Sequence, residues 1–317
     1  MTNIETTYMG IPLKSPIIVG ASSISSMLDR IQKAEEHGAG ALVIRSLYEE
    51  QAYNRPANDD QSETYFPSMD HHTVKDHLHW TEKTREAVKM PLIGSLNAVQ
   101  KESWVKFAQA LENTGVNALE LNIYSIETNR NRPGTSVEQE IYETLENVKG
   151  AVKIPVSVKM GAFFTSVANV AAELDRRKAN GLVLFNRFLQ PDIDLDTMSL
   201  THDMPLSSPD EIKLPLRWTA ILYGRVYADI ALSTGVHTGK DVIKALLAGA
   251  QVTQTAAALL QHGIQHLDTM HAELTGWMSE KGYQKIEDFR GKLSQQNVAD
   301  PQAFERAQYV QLMLSQR

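Results

Sequence analysis

The sequence contains no cysteine among its 317 residues. Disulfide bonds, cysteine-ligated zinc, iron–sulfur clusters and thiol nucleophiles are therefore excluded. The sequence also lacks an excess of basic residues. Its 31 Lys and Arg residues are scattered along the chain, 38 Asp and Glu residues outnumber them, and the net charge is −7. This balance argues against nucleic acid and against an anionic membrane as partners.

Long apolar runs are missing as well. No window reaches the roughly 18 apolar residues that a membrane-spanning helix needs, and the first ten residues do not have the pattern of a signal peptide. We therefore expect a soluble, cytoplasmic protein. No linker rich in Gly, Ser or Pro divides the chain, so we expect residues 1–317 to form one domain.

Eight short and mostly apolar runs predict strands that are covered on both faces. They are Pro16–Gly20, Ala41–Ile44, Pro91–Ser95, Ala118–Asn122, Pro155–Lys159, Gly181–Phe185, Asp229–Ser233 and Gln251–Thr255. Amphipathic helical patterns lie between them, and three of the helix-to-strand joints contain a glycine at the expected helix end: Gly38, Gly115 and Gly249. A glycine at that place favours the left-handed conformation that ends many helices.

Eight βα units predict an α/β fold of the (β/α)8 TIM-barrel type. The alternative is a doubly wound open sheet, which more often has five to seven strands and a glycine-rich first turn. The first turn here, Gly20–Ser25, contains no GxGxxG pattern. Two long connections, residues 47–79 and 186–216, are expected above the carboxyl ends of the strands, and a polar helical tail is expected from about residue 283.

The residues that follow the strands are the candidates for chemistry, because active sites of such barrels lie at the carboxyl ends of the strands. In chain order these positions hold Ala21 and Ser22, Arg45 and Ser46, Asn97, Asn122 and Ser125, Lys159, Asn186 and Arg187, Thr234 and Gly235, and Ala256 and Ala257. They include three cations and several amides but no carboxylate. This set favours an anionic or imide-bearing ligand, and we expect no metal ion.

Two of these positions leave alternatives open. Lys159 is interpreted either as a lysine that extends from a strand end into solvent, or as a cation that faces a ligand anion, or as a Schiff-base nucleophile. The segment Ser233–Gly239 leads into a helix predicted over Lys240–Ala248. It is either a plain strand–helix turn or a phosphate site built from backbone N–H groups.

Several of these segments together resemble one family. Asn122-Ile-Tyr-Ser125, Val158-Lys159, Phe185-Asn186 and Ser233–Val236, with Met9–Val19 and Lys281–Leu293, are similar to the FMN-dependent dihydroorotate dehydrogenases. The chain looks most like the soluble class and the related dihydroorotate-dehydrogenase-like proteins. The resemblance implies bound FMN and hydride transfer between the flavin and a CH–CH bond of a small anionic substrate. Dihydroorotate is the first candidate substrate, which implies a role in pyrimidine biosynthesis. By analogy with the family, the resemblance also implies a homodimer.

The resemblance also implies roles for individual residues. As catalytic residues it implies Ser125 as the general base, Lys159 near the N1–O2 edge of the flavin, where its charge stabilises the reduced form, and Arg45. The implied cofactor-binding residues are Ala21, Ser22, Ser46, Asn97, Asn122, Lys159, Phe185, Ser233, Thr234, Gly235, Ala256 and Ala257. The implied substrate-binding residues are Arg45, Asn122, Asn186 and Arg187.

Four departures from the family pattern bear on the substrate or on the cofactor phosphate. Arg45 replaces a lysine, Arg187 replaces a small Ser or Thr, Ala256-Ala257 replaces a Gly-Ser/Thr pair, and the segment Glu63–Asp70 lacks the expected asparagine. They leave two alternatives to dihydroorotate oxidation. One is a flavin-binding or empty barrel without catalysis. The other is a different CH–CH reductase in which Arg45 and Arg187 hold a dicarboxylate.

Overall fold

The computed structural model describes residues 2–52, 73–201 and 205–315. Two antiparallel strands come first, β1 (Thr6–Tyr8) and β2 (Ile11–Leu13). Eight parallel strands of this described part then close a barrel: β3 (Ile17–Val19), β4 (Ala41–Tyr48), β5 (Leu92–Asn97), β6 (Ala118–Asn122), β7 (Val156–Met160), β8 (Gly181–Leu184), β11 (Asp229–Ser233) and β12 (Val252–Thr255). A second small hairpin, β9 (Asp192–Asp194) with β10 (Ser199–Thr201), lies between β8 and β11.

Helices alternate with the barrel strands. They are α1 (Leu28–Glu36), α2 (Val74–Ala87), α3 (Lys101–Asn113), α4 (Gly134–Ala151), α5 (Val167–Arg176), α6 (Lys213–Leu222), α7 (Gly239–Ala248), α8 (Ala257–His262), α9 (His266–Lys281) and α10 (Arg306–Ser315). The expected (β/α)8 barrel is therefore confirmed.

The strands bury both faces, as their continuous apolar sequences require. One set of side chains packs inside the barrel, among them Ile18, Val43, Ile93, Val183 and Val252. The alternate set packs outward against the helices. On α5 the apolar residues recur at helical spacing and are buried: Val167, Val170, Ala171 and Leu174.

The hairpin β1–β2 closes the amino-terminal end of the barrel. Its side chains Tyr8, Met9 and Leu13 are buried in the same cluster as the interior strand residues. The backbone N–H of Met9 donates a hydrogen bond of 2.7 Å to the Asp229 carboxylate at the start of β11. At Gly181, the first residue of β8, a Cβ would lie 2.8 Å from the Tyr8 hydroxyl, so only glycine fits there.

The helix ends agree with the sequence pattern. Gly38, Gly115 and Gly249 all have positive φ, at +77°, +84° and +118°, as predicted for the three joints. The predicted helix over Lys240–Ala248 begins one residue earlier, at Gly239, where Thr238 and Asp241 form a capping box.

Three sequence expectations need correction. The second barrel strand extends past Ile44 to Tyr48, so Arg45 and Ser46 lie within β4 and not after it. The first long connection is shorter than expected because α2 begins at Val74, which places His77 and His79 on a helix. The second connection contains the hairpin β9–β10.

The tail is also not simply polar. Ile286, on a short 3₁₀ helix, and Phe289 are fully buried in the main core. The ring of Phe289 contacts Trp277 of α9, at a centroid distance of 5.0 Å. The chain beyond α9 therefore covers the barrel before it ends in α10, whose apolar residues are exposed.

Among the described residues, no helix has both the length and the apolarity that crossing a bilayer requires. That residues 1–317 form a single domain, and that the protein is cytoplasmic, stay predictions.

Candidate active site

A bulge in β4 sets the position of two candidate residues. Between Ile44 and Leu47 the strand has one residue more than its partner β5, and Arg45 and Ser46 occupy this irregularity. Such a bulge redirects side chains. Ser46 is buried, and its hydroxyl lies 2.7 Å from the hydroxyl of Ser95 on β5. Arg45 is exposed, and its backbone N–H donates to the Ser25 hydroxyl.

The candidate amides form one hydrogen-bonded network at the carboxyl ends of the strands. The Asn122 amide donates to the Ser46 hydroxyl over 3.1 Å, and the Asn97 amide donates to the Asn122 backbone carbonyl over 2.8 Å. The Asn186 amide donates to the Asn122 side-chain oxygen. The structure therefore brings together three predicted residues from β5, from β6 and from the end of β8, and Asn122 lies at the centre.

Lys159 at the end of β7 has a buried counter-ion. Its ammonium lies 3.8 Å from one carboxylate oxygen of Glu120, and the side chains are 14% and 1% exposed. The other oxygen of Glu120 accepts a hydrogen bond of 2.6 Å from the amide of Gln254. The Glu120 oxygen that faces Lys159 has no hydrogen-bond partner among the described residues. The 3.8 Å contact is thus a loose ion pair that leaves the ammonium able to contact a ligand.

Sequence reasoning missed Glu120, although a signal was present. In Ala118–Asn122 alternate residues point to the same side of the strand. Ala118 packs inside the barrel, and Asn122 belongs to the polar network, so Glu120 between them must also point inward. The charge of Glu120 also acts on a more distant group. The pKa of Tyr8 is raised well above its ordinary value, first by burial and second by the negative charge of Glu120.

Arg187 has a structural partner that the sequence did not indicate. Its guanidinium donates to the Glu211 carboxylate, with contacts of 2.9 and 3.2 Å, and to the backbone carbonyl of Pro205. Glu211 also accepts the N–H of Ser208 over 2.7 Å. Arg187 thus holds the segment 205–212 in place, and its charge is balanced by a carboxylate.

The turn after β11 has an unusual backbone conformation. Thr234 and Gly235 both have positive φ, at +79° and +75°, and the Thr234 hydroxyl donates to the Phe185 carbonyl over 3.3 Å. A Cβ on Gly235 would lie 2.3 Å from the backbone nitrogen of Ile212, so the segment 205–212 packs directly on this turn.

The neighbouring helix α8 begins without a side-chain cap. Its N-cap is Ala256, which makes no capping hydrogen bond, so the N–H groups of its first turn have no side-chain acceptor. Ser233 lies at the end of β11, in register with Gln254 of β12, and is buried.

The remaining predicted positions lie nearby or outside the network. Ser22 caps a short 3₁₀ helix, Ser23–Ser26, after β3, and Ala21 packs against the barrel interior. Ser125 is exposed in the segment after β6 and is not hydrogen-bonded to the described residues of the amide network. The segment Glu63–Asp70 lies outside the described residues. Among the described residues, no group of three or more His, Asp or Glu side chains is arranged to hold a metal ion.

A comparison with known protein families identifies the family of this chain. The family model described as dihydroorotate dehydrogenase matches residues 3–278. The chain belongs to the dihydroorotate dehydrogenase family. The family expected from the strand-end residues is therefore confirmed, and so is the enzyme class, an oxidoreductase that acts on CH–CH bonds.

Individual members of the dihydroorotate dehydrogenase family are distant. The chain is 25% identical over 299 residues to a dihydroorotate dehydrogenase B (NAD(+)), catalytic subunit, of Thermoplasma volcanium, covering 92% of this chain and 98% of that protein. It is 26% identical over 294 residues to a dihydroorotate dehydrogenase A (fumarate) of Limosilactobacillus reuteri, covering 88% and 94%. The match therefore spans almost the full length of these relatives at low identity.

Proposed function

We propose that this member of the dihydroorotate dehydrogenase family binds FMN and oxidises a CH–CH bond next to a carbonyl or imide group, with dihydroorotate as the first candidate substrate. The observation that carries the proposal is the polar network of Asn97, Asn122 and Asn186 beside the Lys159–Glu120 pair. A barrel interior is usually filled with apolar side chains. A cation and several amides held at its carboxyl end point to a polar ligand there.

The residues present fit FMN. The phosphate requires N–H donors after the last two barrel strands, and the Thr234–Gly235 turn and the uncapped start of α8 supply them. Ala256 and Ala257 contribute only backbone N–H groups. Lys159 supplies the positive charge that favours a reduced, anionic flavin.

Bound FMN supplies the two-electron acceptor for oxidation of the CH–CH bond. The chain's own residues orient the substrate and shape the electrostatics. Asn122 and Asn186 present amide groups to the polar edge of the substrate ring, and Lys159 holds a positive charge at the mouth of the barrel. Ser125 is the proposed general base. Because a serine hydroxyl is a weak base by itself, a water molecule or a neighbouring group must accept the proton of Ser125. The catalytic roles of Ser125 and Arg45, and the cofactor contacts of Ala21, Ser22, Ser46 and Phe185, belong to this proposal.

The bound flavin is tested directly on the purified protein. We expect a yellow protein whose chromophore is released on denaturation and is identified as FMN by mass spectrometry. A colourless protein that does not bind added FMN in a titration would instead support the empty barrel.

The substrate is tested by mixing the flavin-loaded protein with dihydroorotate under anaerobic conditions. We expect slow bleaching of the flavin, because Arg187 is tied to Glu211 and Arg45 replaces a lysine. Two missing substrate contacts, each worth about 1–3 kcal/mol, lower kcat/KM by roughly 30-fold to 10⁴-fold. Arg45→Lys should recover part of the rate. Rapid bleaching by the unmodified protein would contradict this expectation.

The assembly state belongs to the same proposal. By analogy with the family we propose a homodimer, and sedimentation velocity at micromolar concentration tests it.

A further inference from the structure

Three aromatic rings from three different βα loops meet beside the amide network. Tyr124 follows β6, Phe163 follows β7 and Phe188 follows β8. The ring centroids of Tyr124 and Phe188 are 5.1 Å apart, and Phe163 meets Phe188 edge-on at 4.8 Å with an interplanar angle of 88°. Both geometries are favourable for aromatic pairs. Phe163 is nevertheless 72% exposed, so much of its ring is free to contact another molecule.

Two of these rings line a cavity of about 360 Å³. Leu214 and Pro215 extend its apolar lining, and Asn186 forms part of its polar edge. Phe185 and Thr234, which the proposed function assigns to FMN, also line it, so the cavity adjoins the cofactor site. The Asn186 amide is hydrogen-bonded to Asn122, so the cavity adjoins the amide network. The proposed function places the polar edge of the substrate at this network. Its volume lies within the range of small-molecule sites.

The charges around this cavity cancel in pairs. Its four charged lining residues are Arg187, Asp210, Glu211 and Lys213. Arg187 is paired with Glu211 at 2.9 Å, and Lys213 is paired with Asp210 at 2.7 Å. A second carboxylate on the substrate would find no uncompensated cation here. The lining instead suits an uncharged, planar, apolar group.

We propose that the part of this cavity formed by Phe163, Phe188, Leu214 and Pro215, called here the aromatic pocket, binds an uncharged planar ring carried by the substrate. The substrate is then larger than dihydroorotate. Its imide or amide edge faces Asn122 and Asn186, and its apolar ring lies against Phe163 and Phe188. The inference rests on the proposed function, because it extends the same site and leaves the CH–CH oxidation unchanged.

Binding measurements with product-like probes test the aromatic pocket without relying on turnover. The probes are uracil, which has only the imide ring, and its two C-phenyl isomers, which add one planar apolar ring. Calorimetric titration of the FMN-loaded protein should give at least one phenyl isomer an affinity about tenfold or more above that of uracil. Equal affinities for all three probes would overturn the inference.

Phe163→Ala provides the matched test, and its exposed position means that the variant should fold normally. The lost ring contact should weaken the better phenyl isomer by about twofold to tenfold and leave uracil unchanged. Phe163→Trp should restore the preference. The control Leu195→Ala truncates a residue that is 85% exposed, outside the residues that line the pocket, and should change neither affinity. Equal weakening of all probes by Phe163→Ala would overturn the inference.

The experiment separates this inference from the proposed function. A wild-type protein that carries FMN and binds uracil or orotate, but does not prefer a phenyl isomer, contradicts only the aromatic pocket. A protein that takes up no FMN and binds none of the probes contradicts both.

Discussion

Lys159 and Glu120 carry opposite charges at the same end of the barrel, so their removal should affect a bound flavin in opposite directions. Lys159→Met keeps the length of the side chain and removes the ammonium. A charge-assisted contact is worth about 1.5–3 kcal/mol, so FMN affinity should fall by roughly 10-fold to 150-fold. The reduction potential should become more negative, because the reduced flavin loses a nearby cation. Unchanged affinity together with an unchanged potential would contradict the placement of Lys159 beside the flavin.

Glu120→Gln should have the reverse effect on the potential. The substitution removes the carboxylate charge 3.8 Å from the Lys159 ammonium and keeps an oxygen that accepts from Gln254. The positive charge of Lys159 is then uncompensated, and the reduction potential of bound FMN should rise by tens of millivolts. Glu102→Gln, on the exposed surface of α3, is the control and should leave the potential unchanged. A purely structural role for Glu120 would lower stability without this signed shift.

At the level of residues, most members of the polar network could be predicted from the sequence, but the ion-pair partners of its cations could not. Asn97, Asn122, Lys159 and Asn186 could be predicted because each lies at or next to the end of a strand, and the barrel fold brings strand ends together. The partners Glu120 and Glu211 could not be assigned in the same way. Glu211 lies 24 residues beyond Arg187, in a connection without a repeating pattern. Arg187 was therefore interpreted only as a substrate-binding cation, and its ion pair with Glu211 was not foreseen.

At the level of elements, the largest omission was the hairpin that closes the base of the barrel. Strands of three residues, β1 and β2, are too short to show a period of two. The turn between them places Met9 and Gly10 at positive φ, and only glycine adopts that conformation without strain. The extension of β4 was missed for a related reason, because the bulge at Arg45 and Ser46 interrupts the alternation of its side chains.

The hairpin should contribute strongly to stability. Leu13 is buried against the interior of the barrel, so Leu13→Ala should lower the free energy of unfolding by about 2–5 kcal/mol. Thr7→Ala truncates an exposed side chain of β1 and should change it by less than about 0.5 kcal/mol. Urea denaturation of both variants measures the difference. A Leu13→Ala protein as stable as the Thr7→Ala protein would mean that the hairpin does not support the barrel.

At the level of the whole molecule, the fold was predictable because eight βα units repeat along the chain with similar spacing. Each unit is local, and the closed barrel follows from their number. The contacts that join distant parts of the chain were not predictable in this way. Ser15, before β3, bonds to His271 on α9, 256 positions later, at 2.7 Å. His37, the C-cap residue of α1, lies 2.8 Å from Asp268 of the same helix α9, so the first and last βα units are tied together by histidines.

The contact between Ser15 and His271 should make the free energy of unfolding depend on pH. The Ser15 hydroxyl accepts the backbone N–H of Ile17 and also lies 2.7 Å from Nε2 of His271, to which it can donate or from which it can accept. Burial lowers the pKa of His271, while the charge of Asp268 acts in the opposite direction. Because the folded pKa lies below the unfolded value of about 6.5, the unfolded chain binds more protons in the interval between the two values. The stabilisation is therefore complete above about pH 6.5 and is lost as the pH falls below it, with a slope of at most about 1.4 kcal/mol per pH unit.

The measurement is urea denaturation between about pH 5 and pH 8. In His271→Gln the side-chain amide can still hydrogen-bond to Ser15 but does not titrate, so the acid-side loss of stability should be smaller than in the unmodified protein. His79→Gln changes an exposed histidine on α2 and should leave the profile of the unmodified protein unaltered. Parallel pH profiles for His271→Gln and the unmodified protein would show that the contact between Ser15 and His271 does not couple protonation to the closure of the barrel.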